Sequence, residues 1–121
     1  MFELMVEDSF NAAHQLKGYE GPCEKLHGHT WKVQLFLIGP CLDSLGMLVD
    51  FKKVKRELGD CLEELDHSNL NDFSYFKETN PTSENVAKFI YGKVKGKFGK
   101  GVKISRVVVF ESERTSASYY E

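Results

Sequence analysis

The chain has 121 residues, 41% of them hydrophobic and 28% charged, with a formal net charge of −2. This is the makeup of one compact globular domain over residues 1–121, too short for two domains of ordinary size. The near-neutral balance gives no reason to expect a nucleic-acid or membrane partner, and no apolar run approaches the roughly 18 residues of a membrane span.

The start of the chain alternates. Phe2, Leu4, Val6, Phe10 and Ala12 share one parity against Glu3, Glu7, Ser9 and Asn11, which predicts a half-buried strand running to about His14. Gly18, Gly21 and Pro22 break it into a loop. A second strand is expected from about His29 to Ile38, with Trp31, Val33, Leu35 and Leu37 on the parity of His27 and His29. Gly39-Pro40 ends it. Asp50 then stands as an N-cap before Phe51, Val54, Leu58, Cys61, Leu62 and Leu65, an amphipathic helical stripe despite Gly59. Asn80-Pro81-Thr82-Ser83-Glu84 opens a second helix, capped by Asn80 or Thr82, with an apolar stripe from Val86 to Phe98. Val102–Glu111 and Thr115–Tyr120 read as two further strands across a short turn. The order ββααββ predicts an α+β domain: a four-stranded antiparallel sheet with two helices on one face. Its edge strands need covering, which makes self-association an expectation.

Three of the four histidines, His14, His27 and His29, fall within sixteen positions of one another. Residues two apart on a strand share a face, and antiparallel pairing of the first two strands brings His14 beside the other two. Three imidazoles that leave a fourth position open have the layout of a catalytic zinc centre. Gly28, without a side chain on the opposite face, would let another element approach closely. Cys23 has two readings, a fourth ligand that makes the site structural, or a thiol of lowered pKa that moves protons. The second is preferred here.

The other cysteines say less. Three in all, at 23, 41 and 61, form no disulfide framework and point to a reducing cytoplasm, as does a first segment with no signal-peptide pattern. Cys61 belongs to a helical core stripe. Lys93, Lys95, Lys97, Lys100 and Lys103 form a basic run best read as solvated surface. Asp66-His67 is either an acid–base pair or a helix-end cap. Glu111 is either a strand-end charge or a carboxylate that receives paired hydrogen bonds from an amidine-like edge, such as guanine or pterin rings present.

Taken together, Phe10-Asn11-Ala12-Ala13-His14, Cys23-Glu24-Lys25-Leu26-His27-Gly28-His29, Gly46 through Asp50-Phe51, Leu65 through Asn71, Asn80 through Asn85 and Phe110-Glu111 resemble the 6-pyruvoyl-tetrahydropterin synthase family. The resemblance is strongest to its bacterial 6-carboxy-tetrahydropterin synthase branch, which shares the four-residue interval from Cys23 to His27. It implies a tunnelling fold in which trimers close a β-barrel and two trimers stack into a homohexamer, with active sites at subunit interfaces. It further implies Zn²⁺ on His14, His27 and His29, a catalytic Cys23, a proton relay of Asp66 and His67, and a pterin-anchoring Glu111. Thr82, Ser83 and Glu84 would help to hold the pterin, or serve only as a helix cap.

The implied substrate is 7,8-dihydroneopterin triphosphate. The implied products are 6-carboxy-tetrahydropterin, acetaldehyde and triphosphate, on the route to queuosine. Lys25 is a candidate for the triphosphate. Glu24 beside the cysteine matches a variant motif linked to 6-hydroxymethyl-dihydropterin formation, and the animal branch makes the 6-pyruvoyl product. A zinc- or pterin-binding oligomer without catalysis is the non-enzymatic alternative.

Overall fold

A computed structural model describes residues 1–21 and 25–121 of the chain. Strand β1 spans Phe2–His14 and pairs along its full length with antiparallel β2, His27–Gly39, so that Phe2 faces Gly39 and His14 faces His27. Alternation decides which face each residue takes. Phe10 and Ala12 on β1, and Trp31, Val33, Leu35 and Leu37 on β2, are buried under the helices, and Phe10 stacks on Trp31 with ring centroids 5.9 Å apart.

Helix α1 (Phe51–Leu65) begins where the Asp50 carboxylate accepts the Lys52 N–H at 2.8 Å. It buries Val54, Leu58, Cys61, Leu62 and Leu65 of the stripe read from the sequence, while Phe51, its first member, is exposed at the helix start. Apolar surroundings push the Cys61 thiol up to about 11, which fits an inert core residue. Two short 3-10 turns, Leu70–Asp72 and Ser74–Phe76, then lead towards helix α2 (Ser83–Val94). Its cap is Thr82, whose hydroxyl accepts the Asn85 N–H at 3.2 Å. Strand β4 (Lys103–Ser112) pairs antiparallel with β2 and with β5 (Thr115–Tyr119).

Two details depart from the expectation. Ser68–Asn69 forms a two-residue strand, β3, parallel to β1 at Ala12–Ala13, so the sheet is mixed and five-stranded, in the order β3-β1-β2-β4-β5. The cause is local: the chain leaving α1 hydrogen-bonds to Asn11 and is carried along the β1 edge. Helix α2 also stops at Val94, four residues short of Phe98, where Gly96 takes a positive φ of 78°. Phe98 is buried all the same, delivered by the loop.

The face away from the helices is polar and aromatic. Lys32 sits over the Phe110 ring and Arg106 over Phe36, while Gln34 donates to Glu7 at 2.9 Å. The lysine run is surface, as read: Lys93, Lys95 and Lys97 stand near Glu64, Glu121 and Glu57 respectively. Among the described residues no helix is long and apolar enough to cross a membrane.

Candidate metal centre

The pairing of β1 with β2 sets His14 opposite His27 and Ala12 opposite His29, which puts all three histidines on the helix-covered face at one end of the sheet. Their rings meet edge-on, with centroids 4.6, 5.0 and 4.7 Å apart, and the buried Trp31 ring supports His14 and His29 from below.

Backbone carbonyls settle the tautomers of two rings. His14 Nδ1 lies 2.7 Å from the Pro81 carbonyl and His27 Nδ1 lies 2.6 Å from that of Lys25. A carbonyl only accepts, so both Nδ1 atoms carry the proton and both Nε2 atoms present lone pairs when the rings are neutral. Burial, the largest influence on each, pushes His14 and His29 below their ordinary value and favours that neutral form. Yet the two Nε2 atoms are only 3.1 Å apart. Two acceptors that close repel unless a proton or a cation lies between them.

Glu111 completes the cluster. Its parity on β4 is that of the buried Val107 and Val109, so it faces the histidines, and the register shifts beside it between Phe110 and Ser112. Such irregularities re-aim a side chain at the end of a ladder. Glu111 Oε1 lies 2.9 Å from His29 Nε2 and 3.3 Å from His14 Nε2. The geometry at His29 Nε2 is not that of a hydrogen bond, and that atom is buried with no hydrogen-bond partner among the described residues. One ligand atom from each of His14, His27, His29 and Glu111 falls within 4.8 Å of the others. An orphaned buried nitrogen, converging lone pairs and a carboxylate are what a metal ion would satisfy. This group can hold one.

Asp66 and His67 lie at the C-terminal end of α1, in the capping arrangement that is one of the two readings of the pair. Asp66 caps the helix through its own N–H, which donates to the Leu62 carbonyl at 2.9 Å. Its side chain accepts the Asn11 N–H at 2.8 Å and lies 2.9 Å from His67 Nδ1. The Asn11 N–H first, and then His67, hold the Asp66 carboxyl below its usual range. His67 takes a left-handed φ of 55°, retained by its N–H donating 2.6 Å to Asn11, and its exposed ring opens on a groove of about 460 Å³. Asn11, Gly28, His29 and Thr30 line the same groove. Of the metal cluster only His29 borders this groove among the described residues.

Other expectations meet the structure less directly. Cys23 and Glu24 lie outside the described residues. Gly28 is not a point of close approach there, since an added Cβ would meet nothing nearer than the Ala12 carbonyl oxygen at 3.9 Å. Thr82 is the helix cap, Ser83 is buried and Glu84 is exposed. The sequence reading missed the Pro81 and Lys25 carbonyls. Every residue carries a carbonyl, and nothing in a sequence marks which ones will grip an imidazole.

The model for the family described as PTPS, 6-pyruvoyl tetrahydropterin synthase, matches residues 3–121. The chain belongs to that family. A 6-carboxy-5,6,7,8-tetrahydropterin synthase from Synechocystis is 34% identical over 99% of this chain and 94% of its own length. A dihydroneopterin monophosphate aldolase from Pyrococcus furiosus is 36% identical, covering 89% of this chain and 88% of its own. The solved structure of Caenorhabditis elegans 6-pyruvoyl tetrahydropterin synthase superposes with a TM-score of 0.89 at 31% identity, over 99% of this chain and 95% of that one. The ββααββ order with both helices on one face is the tunnelling fold of the PTPS family, whose members are pterin enzymes.

Proposed function

We propose that the protein is a zinc-dependent 6-carboxy-5,6,7,8-tetrahydropterin synthase, converting 7,8-dihydroneopterin triphosphate to 6-carboxy-tetrahydropterin, acetaldehyde and triphosphate in queuosine biosynthesis. The observation that carries this reading is the convergence of three imidazoles, two of them held through Nδ1 by backbone carbonyls, beside the Glu111 carboxylate. Likeness to the Synechocystis enzyme of that name supports the choice of product.

Zinc on His14, His27 and His29 would supply Lewis acidity to the side-chain hydroxyls of the pterin. Cys23 shuttles a proton between side chain and ring. His67 completes the relay, its imidazole oriented by the Asp66 carboxylate 2.9 Å away. Glu111 accepts paired hydrogen bonds from the pterin, and Thr82, Ser83 and Glu84 add to its binding site from a neighbouring subunit. The working form is a cytoplasmic homohexamer of two stacked trimers.

A second reading is favoured by the Pyrococcus aldolase relative together with Glu24: a 6-hydroxymethyl-dihydropterin-forming enzyme of the folate branch, with Glu24 in place of Cys23 as the working base. The 6-pyruvoyl product of the animal branch is the third possible outcome. Incubation with dihydroneopterin triphosphate followed by product identification separates them. Acetaldehyde with a 6-carboxy product is expected; 6-hydroxymethyl-dihydropterin would move the assignment to the folate branch, and no conversion would leave a pterin- or zinc-binding oligomer. Cys23→Ala is expected to lose turnover and keep zinc, whereas His27→Ala loses both. Zinc loss from the cysteine variant would make Cys23 a ligand instead.

A further inference from the structure

Among the described residues the β1 strand runs out of strand partners at His14. Its last pair with β2 is His14–His27, and its last with β3 is Ala13–Asn69. The next alternate peptide groups are gripped by side chains instead. The Gln15 N–H donates to Asn71 Oδ1 at 2.9 Å, and the Gln15 carbonyl accepts from Asn71 Nδ2 at 3.0 Å. Lys17 is held in the same two-pronged way by Asn80, both bonds being 2.9 Å. A carboxamide carries the donor and acceptor of a peptide unit, so each asparagine continues the ladder where no strand is left to do so.

Asn80 is tied down on its other side as well. Its carbonyl accepts the Thr82 N–H at 2.8 Å and Asn85 Nδ2 at 2.9 Å, which joins it to the first turn of α2. The following carbonyl, that of Pro81, is the one that receives His14 Nδ1–H at 2.7 Å. One residue therefore links the start of α2, the segment leaving His14, and the group that sets the His14 tautomer. Helix capping does not account for Asn80, because Thr82 is the cap.

We infer that Asn80, seconded by Asn71, is a positioning residue of the metal centre: its amide bracket on Lys17 holds the Pro81 carbonyl where it turns His14 Nε2 towards the metal. The inference rests on reading His14, His27 and His29 as metal ligands. Partners that orient a ligating imidazole typically govern ten- to hundredfold in metal affinity, about the effect expected here.

The test uses metal-free full-length protein, titrated with Zn²⁺ against a chromophoric chelator and with Co²⁺ for its ligand-field bands. Wild type is compared with His14→Ala, Asn80→Ala, Asn80→Asp, Asn71→Asp and Asp43→Ala. Asp43 is the control for a merely structural bracket, since its carboxylate accepts the Leu45 and Met47 N–H groups in the connection at the far end of β2. Asn80→Ala should weaken Zn²⁺ binding by about ten- to hundredfold and alter the cobalt bands, and Asn80→Asp, retaining only the acceptor, should fall between it and wild type. Asp43→Ala should lower the melting temperature and leave affinity unchanged.

Failure of wild type to bind either metal would overturn the metal reading itself. Binding that is lost in His14→Ala yet unchanged in affinity and spectrum in the Asn80 variants would overturn the positioning role alone. Should Asn80→Ala fail to fold by circular dichroism, the two aspartate variants decide, and wild-type affinity in both rejects the inference.

Discussion

Two imidazole nitrogens 3.1 Å apart, each on a ring whose other nitrogen already donates to a carbonyl, cannot hydrogen-bond to one another while neutral. The metal-free site therefore holds an unfavourable contact that a cation relieves, and acid supplies one cation, the proton, at a cost. Burial lowers His14 and His29 from 6.5, so below that pH the unfolded chain binds more protons than the folded one. The histidines' contribution to stability is complete above 6.5 and is lost as pH falls towards their depressed folded values. Urea melts of metal-free protein at about pH 7.5 and about pH 5.5 should show lower stability at the acid end, with a shallower pH dependence in His14→Ala. An unchanged dependence in that variant would mean that other groups carry it. Bound metal should be released in the same direction, since protons compete for the same lone pairs.

Among the elements, α2 does two jobs. Its first turn is capped by Thr82, and the residues just before it deliver the Pro81 carbonyl to His14. Thr82→Ala removes the acceptor for the Asn85 N–H and should cost about 1 kcal/mol of stability, read from the urea midpoint at constant slope. No loss would mean that the bond from Asn85 Nδ2 to the Asn80 carbonyl holds the turn unaided. Strand β4 shows the same economy. Regular alternation buries Val107 and Val109, and the register shift past Phe110 adjusts the aim of Glu111 at the mouth of the site.

For the molecule as a whole, the two outer edges of the sheet stand out. Among the described residues β3 covers only Ala12–Ala13 of the outer edge of β1, and β5 has no partner beyond β4. Long open edges are seldom left bare, and edge-to-edge pairing between copies would cover both, as the proposed hexamer requires. Light scattering is expected to return six copies of the 13.8 kDa chain, and a monomer would rule out active sites shared between subunits. Zinc that binds the folded form alone should stabilise it by about 4 kcal/mol at a thousandfold excess over its dissociation constant. Chelation should lower the melting temperature accordingly, and zinc should restore it.

Much of this was open to reading from the residues in order. A period of two put Phe10, Ala12 and His14 on one side of the first strand, and His27, His29 and Trp31 on one side of the second. Given antiparallel pairing of those two strands, the histidine cluster followed from local pattern. The helical stripes of α1 and of α2 as far as Val94 followed likewise, because burial on one face is written at fixed spacing. Glu111 was different: parity marked its face, but only register across three strands could put it 2.9 Å from His29. The Pro81 carbonyl, 67 positions from His14, and the Asn71 and Asn80 brackets had no local signature at all. These depend on which segments packing brings together, and hydrogen bonds from common groups leave no period to read. The sequence thus determined that three histidines would meet, and the tertiary structure decided what holds them and which carboxylate joins them.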